Sequence, residues 1–126
     1  MARVPILTFA DLLIASVQEE LRDRDALALQ EELSAAIART GARGVLLDVS
    51  AVETVDSFLG RLLNDLALGT RLLGAYTVLV GIQPAVAITL VELGLQLTGV
   101  HTALNAEKGQ LLLRRLLAEE DRREYR

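Results

Sequence analysis

The feature that most constrains the fold is an alternation between short apolar runs and longer segments whose leucines recur at helical spacing. The first two runs, residues 6–9 and 12–17, are separated by a two-residue linker, which predicts two strands joined by a tight turn. Further runs at 45–49 and 76–81 each follow a segment of helical periodicity. Strands that alternate with helices favour parallel pairing and right-handed crossovers.

Leucine stripes identify the helices, and glycines mark where they end. The first helix is predicted from about Asp23 or Asp25, either of which can cap its free N–H groups, to Thr40. Gly41 ends it, because glycine adopts the left-handed conformation without strain. The predicted inward-facing side chains of the first two helices are Leu29, Leu33 and Ile37, and then Leu59, Leu62, Leu63, Leu66 and Leu73.

Pro84 and Gly94 bound a third predicted helix, and Asn105 can cap a fourth. A weak strand is expected between them, near residues 100–103. The charged tail from residue 119 to 126 is expected to fray. This order predicts an α/β fold in one domain spanning the whole chain. Its sheet is mixed but mostly parallel, with four or five strands, an N-terminal antiparallel hairpin strand and about four flanking helices.

Residues 72–91 carry no charge and are long enough for a membrane span. Glycines and the pair Gln83-Pro84 interrupt this stretch, and residues 76–82 are rich in β-branched side chains. A buried strand followed by a separate helix explains these residues, so no membrane association is expected. The N-terminal apolar run is short and interrupted by Asp11, unlike a secretory signal, and a cytoplasmic location is expected.

Composition argues against several classes of function. The sequence has no cysteine, one histidine and a net charge of −4, and it lacks a basic stripe for nucleic acid. Nothing in the spacing places His101 beside Ser50 or Ser57 as a catalytic triad would require. Neither a compact metal-ligand cluster nor a glycine-rich phosphate loop is present. We therefore predict no catalytic residue, metal or cofactor.

Asp48 follows a predicted strand and admits two interpretations. A phospho-acceptor carboxylate, as in receiver domains, would need an acidic pair after the first strand and a late lysine. Asp11 and Lys108 are poorly placed for those roles. The favoured interpretation is that the Asp48 carboxylate accepts backbone hydrogen bonds and fixes the loop.

Asp56 and Ser57 stand where the second helix begins, so either can be its N-cap. Ser57 is also a candidate for regulatory phosphorylation, since a phosphate adds about −1.5 to −2 charge and three strong acceptors. The free N–H groups and the dipole of a helix N-terminus tolerate such a charge. Phosphorylation would then change what this surface binds without melting the fold, and the capping and regulatory interpretations are compatible.

The segment Leu46–Val52, running on to Val55-Asp56-Ser57, resembles the STAS domain of anti-sigma-factor antagonists. Members of that family carry Asp-apolar-Ser after an apolar strand, and then an Asp-Ser pair before a helix. They commonly continue with small residues, whereas an apolar pair begins here at Phe58. Together with segments 81–87 and 91–94, the sequence is similar to the single-domain scaffold proteins of the bacterial stressosome, and the resemblance covers nearly the whole chain.

The resemblance implies a non-catalytic scaffold that self-associates and co-assembles, in a large shell, with paralogues carrying a sensor domain fused to a STAS domain. It implies that the shell holds a serine/threonine switch kinase and that this kinase phosphorylates Ser57. The loop and kinase-binding surface that would support the acceptor consists of Asp48, Ser50, Thr54, Asp56 and Phe58. Thr54 is a nearby hydroxyl that does not match the motif serine.

Two alternatives remain open at this point. The chain could be a direct anti-sigma-factor antagonist in a small complex, although Phe58 argues mildly against it. It could instead sense a nucleotide or lipid, although no cationic pocket is visible in the sequence. The third predicted helix has only Thr89 and Glu92 as polar residues, so either the core or a protein interface must cover it.

Overall fold

A computed structural model describes residues 4–17, 23–95, 97 and 99–124. It confirms the predicted order of strands and helices. The elements are β1 Ile6–Phe9, β2 Leu12–Ser16, α1 Asp23–Thr40, β3 Gly44–Asp48, α2 Ser57–Leu72, β4 Tyr76–Val80, α3 Pro84–Glu92, β5 His101–Ala103 and α4 Ala106–Glu124.

The five strands form one mixed sheet in the order β1-β2-β3-β4-β5, which confirms the predicted fold class. β1 pairs antiparallel with β2 through a turn in which Ala10 has a φ of 55°, and the remaining pairs are parallel. Because each parallel strand is added on the same side, right-handed crossovers place α1, α2 and α3 on one face of the sheet. Helix α4 covers part of the opposite face.

Alternate residues of the strands supply the two halves of the core. Leu47 is buried on the face covered by α1 and α2, whereas its neighbour Leu46 is buried against α4. Helix α4 comes very close to the sheet at Gly109. A β-carbon there would lie 2.5 Å from a methyl of Leu46 and 2.6 Å from one of Val80, so only glycine fits without movement.

Helix α1 has the predicted bounds, but two details of the helices differ from the sequence-based prediction. Asp25 lies within the first turn of α1 instead of capping it, and the side chain of Asp23 is outside the described residues. Leu73 does not belong to the buried stripe of α2. It follows the last helical residue and is 50% exposed, because the chain has already left the helical path there.

The charged run expected to fray continues α4 as far as Glu124, and residues 125–126 lie outside the described part. Arg43 and Arg71 explain the helical structure of this run. Arg43 forms ion pairs with Asp121 at 2.8 Å and Glu120 at 3.3 Å, and Arg71 pairs with Glu120 at 2.8 Å. The end of α4 is thereby attached to the start of β3 and the end of α2.

The uncharged stretch at 72–91 contributes to both β4 and α3, with Gly81 at the start of the short connection 81–83 between them. Among the described residues, no helix combines the length and apolar character that a membrane crossing requires.

Candidate functional site

The candidate site lies at the carboxyl edge of the sheet, where β3 and β4 end side by side. Asp48 and Val80, the last residues of these strands, are register partners. The loop at residues 49–56 leads from β3 to α2, and residues 81–83 lead from β4 to α3. This edge is where parallel α/β sheets usually place their functional loops.

Hydrogen bonds hold the first half of the 49–56 loop. The Oδ1 atom of Asp48 accepts a 2.9 Å hydrogen bond from the backbone N–H of Ser50. The carbonyl oxygen of Asp48 accepts another from the backbone N–H of Val17 at 2.8 Å. The Asp48 carboxylate therefore shapes the turn, in line with the interpretation favoured from the sequence.

Gln83 and Gly81 bring the second strand end against this loop. The Nε2 atom of Gln83 donates a 2.7 Å hydrogen bond to the carbonyl oxygen of Ser50. Gly81 has a φ of 76°, and a β-carbon there would lie 2.9 Å from that of Ser50. From the sequence, Gln83 and Gly81 are a break before α3 and part of the segment 81–87 that supports the family resemblance. The contact across two strand ends cannot be inferred from local pattern.

Asp56 is the N-cap of α2, which decides between the two capping candidates. Its backbone is extended, with φ −110° and ψ 176°, and its Oδ1 atom accepts a 2.8 Å hydrogen bond from the backbone N–H of Leu59. Ser57 is the first helical residue and is half-buried. Within the described part of the chain its hydroxyl makes no hydrogen bond, so capping does not occupy it.

Apolar side chains on the core side hold the loop and the start of α2 in place. Val52 is buried and Val55 and Leu59, on either side of the Asp56-Ser57 pair, are half-buried. A cavity of about 20 Å³ beneath them is lined only by Val17, Val49, Val52, Val55, Leu59, Leu63, Leu79, Ile82, Val86 and Leu90. A water molecule in this cavity would have no hydrogen-bond partner, so the cavity is dry and continues the core. We call its lining the apolar floor of the loop.

The outer surface of the site is mixed in character. Ser50, Thr54 and Asp56 are exposed, and Phe58 exposes 42% of its surface. The structure thus gathers all the predicted site residues at one edge, with Ser57 between a carboxylate and an exposed aromatic ring. A surface of this kind suits recognition by another protein, since aromatic residues are enriched in interfaces.

The remaining candidates for chemistry lie elsewhere. His101 is in β5, where its ring meets that of Tyr76 edge to face with centroids 5.9 Å apart. Across the described ranges, no group of three histidine or acidic side chains could hold a metal ion.

Comparison with known proteins bears on the whole of this architecture. The profile of the STAS domain family matches residues 4–109. The chain belongs to the STAS domain family. This confirms the resemblance drawn from the segments at 46–52 and 55–57.

Two solved structures are similar to this STAS domain over most of their length. One is a serine-to-glutamate variant of RsbS from Moorella thermoacetica, 42% identical, covering 93% of this chain and 99% of that one, with a TM-score of 0.78. The other comes from a study of the molecular architecture of the stressosome, a signal integration and transduction hub. It is 43% identical, covers 90% of this chain and 98% of that one, and has a TM-score of 0.76.

Among curated proteins, the STAS domain is 32% identical over 81 residues to the RsbT co-antagonist protein RsbRA of Bacillus subtilis. The match covers 64% of this chain and 30% of that protein, so the chain spans less than a third of the curated relative. The anti-sigma factor antagonist SpoIIAA is 15% identical, with a TM-score of 0.64 over 82% of this chain, and shows the fold alone.

Proposed function

We propose that this STAS domain is a non-catalytic scaffold of a stressosome-type complex, switched by phosphorylation of Ser57. The similarity to RsbS and to a stressosome chain, over nine-tenths of this sequence, supports the scaffold role. The observation that supports the switch is that the cap of α2 and the candidate phospho-acceptor are different residues. Asp56 caps the helix, and the Ser57 hydroxyl remains available for modification.

A phosphate on Ser57 would act on the surface and leave the fold in place. The first turn of α2 offers backbone N–H groups and the positive end of the helix dipole. The exposed carboxylate of Asp56 would repel the phosphate and favour its projection away from the loop. Val52 and Val55 hold the loop to the apolar floor, so a charge at its outer side need not displace it.

The partner we propose is a serine/threonine switch kinase, held together with sensor-STAS paralogues. The curated relatives are named as co-antagonists of RsbT, and we extend that role to this chain. Ser50, Thr54, Asp56 and Phe58 form the kinase-binding surface in this proposal. A kinase that binds this surface has to remove water from Asp56 and Phe58. A doubly charged phosphate between these two side chains would raise the free-energy cost of that desolvation and so oppose kinase binding.

The test is phosphate incorporation from labelled ATP by the cognate kinase. Ser57→Ala should abolish labelling, whereas Thr54→Ala, which removes an exposed hydroxyl from the same surface, should retain it. Both variants should still co-assemble with a sensor-STAS paralogue into a large particle, measured by light scattering. Labelling of Ser57→Ala at the wild-type level would reject the site.

Kinase retention gives a second measurement of the same proposal. Ser57→Asp should release the kinase from the assembled particle more readily than Ser57→Asn, which is similar in size and uncharged. The effect should be partial, since a carboxylate carries one charge against about −1.5 to −2 for a phosphate. If no large particle forms and the chain instead makes a small one-to-one complex with an anti-sigma factor, the direct antagonist would replace the shell scaffold.

A further inference from the structure

Arg61 is the only cation in the part of the chain that surrounds Ser57. Between residues 44 and 70 every charged side chain other than Arg61 is acidic. The connection at 81–83 and helix α3 add only Glu92, which is acidic as well. A phosphate on Ser57 would therefore be repelled by its charged neighbours along the chain, with Arg61 as the one side chain there that attracts it.

Helix α2 places Arg61 one turn after Ser57 on the same side. Ser57 is the first helical residue, and residues four apart in a helix are neighbours whose β-carbons are about 5–6 Å apart. Helical side chains lean toward the N-terminus, so a long side chain at position 61 reaches back over the turn that contains Ser57. Because Arg61 is exposed, its guanidinium group is free to take this direction and to contact a phosphate on the Ser57 oxygen.

No other group competes for the Arg61 side chain. Within the described part of the chain it forms no ion pair and no hydrogen bond, unlike Arg43 and Arg71, which hold the end of α4. Asp65 follows one turn later, but a base that precedes an acid is the less favourable order along a helix. A phosphate on Ser57 followed by Arg61 has the favourable order, with the acid first.

We propose that Arg61 binds the phosphate on Ser57 and holds it against the first turn of α2. This inference rests on the phosphorylation of Ser57 proposed above and names the residue that positions the new charge. The planar guanidinium group donates two parallel hydrogen bonds to the phosphate oxygens, a geometry that a lysine does not supply. Repulsion by Asp56, the cap of α2, drives the phosphate away from the loop and so toward Arg61. Phosphorylation therefore withdraws a free cation from this surface at the same time as it adds the phosphate.

The first test uses chains that carry phosphoserine at position 57, introduced during translation by an expanded genetic code. No kinase takes part, so the result does not depend on whether the cognate kinase modifies Ser57. A nearby cation favours the dianion of the phosphate, and phosphorus NMR over a range of pH measures its second pKa. This pKa should be higher by about 0.2–0.4 in Arg61→Gln than with Arg61 in place, and intermediate in Arg61→Lys.

Arg24→Gln is the matched control for this measurement. Arg24 is an exposed cation in the first turn of α1, which begins at the same edge of the sheet as α2, and it forms no ion pair among the described residues. Its substitution should leave the phosphate pKa unchanged. High salt should reduce the difference between Arg61→Gln and the wild-type sequence, because exposed charges are screened. Circular dichroism should confirm that all the chains are folded.

The second test is a thermodynamic cycle measured by urea unfolding. It compares four proteins, namely the chain with and without the phosphate on Ser57, each with Arg61 and with Arg61→Gln. The effect of the phosphate on the unfolding equilibrium constant should be about 1.5–2.5-fold more stabilising with Arg61 than with Arg61→Gln. The same cycle with Arg24→Gln should be additive. A general effect of losing one positive charge would give both cycles the same result.

Three results would overturn the proposal. The first is a phosphate pKa that is the same in Arg61→Gln as with Arg61 in place. The second is a rise of this pKa in Arg24→Gln as large as the rise in Arg61→Gln. The third is an additive cycle for the phosphate and Arg61. A kinase that fails to label Ser57 would instead contradict the proposed function, and it would leave these measurements unchanged.

Discussion

Gln83 donates a 2.7 Å hydrogen bond from its side-chain amide to the carbonyl oxygen of Ser50. This contact joins the residue before α3 to the loop that follows β3. Gly81 permits the approach, because a side chain at that position would collide with Ser50. The shape of the loop that leads to Ser57 therefore depends on a residue that lies beyond the next strand in the sequence.

Gln83→Ala should lower the free energy of unfolding by about 0.5–1.5 kcal/mol, the usual net value of one hydrogen bond. Gln83→Glu should lower it further at neutral pH, since a carboxylate cannot donate and repels the Ser50 carbonyl. Urea unfolding measures both, and amide hydrogen exchange should be faster in residues 49–56. Equal stability of the two variants and wild type would contradict the role of this contact.

Asp56→Ala should lower the free energy of unfolding by about 1 kcal/mol, because α2 loses its cap. Asp56→Asn is the matched control. It keeps an oxygen that can accept from the Leu59 N–H, and asparagine caps as well as aspartate. Urea unfolding should therefore rank asparagine close to wild type and alanine below it. If alanine and asparagine were equally destabilising, charge and not capping would be the function of Asp56.

Thr70 and Thr77 form a buried pair whose two members should differ in importance. The Thr70 hydroxyl donates to the carbonyl oxygen of Ala67 at 3.0 Å and lies 2.7 Å from the Thr77 hydroxyl. The single proton of Thr70 goes to Ala67, so Thr77 must donate to Thr70. Thr70→Val should cost about 1–3 kcal/mol, since it leaves a buried hydroxyl unsatisfied, and Thr77→Val about 0.5–1.5 kcal/mol.

The double variant Thr70→Val, Thr77→Val separates this account from a simple loss of packing. With both hydroxyls gone no buried donor remains unsatisfied, so its free energy of unfolding should exceed the additive value. Chemical unfolding of the four proteins in one buffer gives the coupling energy. Strict additivity would show that the two hydroxyls act independently.

Hydrogen bonds and ion pairs from Arg71 and Arg43 hold the pKa of Glu120 below its ordinary value, against the opposing effect of burial. A carboxyl whose pKa is lower in the folded state stabilises the fold above its unfolded pKa. This stabilisation is lost as the pH falls through the folded pKa. Glu120→Gln should therefore lower stability at pH 7 by about 0.5–1 kcal/mol, and the difference from wild type should vanish in acid.

Urea unfolding over a range of pH, repeated in high salt, measures this effect. Salt should reduce the difference at pH 7, because screening weakens partly exposed ion pairs. Glu119→Gln removes the same charge one residue away and keeps the three ion pairs made by Arg43 and Arg71 intact, so its pH profile should follow wild type. A difference between Glu120→Gln and wild type that persisted in acid would point to packing instead.

The order of elements could be predicted because it depends on local features. Apolar runs of strand length, leucines at helical spacing and glycines at helix ends are each contained in a short window. The same holds for the loop at Asp48 and for the start of α2 near Ser57. Sequence alone, however, could not decide whether Asp56 or Ser57 caps α2. That choice depends on the backbone conformation, which is extended at Asp56.

The features that could not be predicted depend on partners distant in sequence. The run at 119–126 looks like a solvated tail until Arg43 and Arg71 are placed beside it. Gln83 looks like a turn residue until β3 and β4 end side by side. Leu73 has the spacing of a buried leucine, but the helix ends before it. In each case tertiary structure overrides a pattern that is correct locally.

The five strands lie side by side in the order of the sequence. Each new parallel strand can therefore pair with the preceding strand as soon as the helix that connects the two has formed. The side of the sheet that carries α1, α2 and α3 can therefore be assembled from the N-terminus while the chain leaves the ribosome. The other side has to wait. Leu46 and Val78 stay in contact with water until residues 106–124 are synthesised, and during that interval the nascent chain presents an apolar surface to chaperones and to other chains.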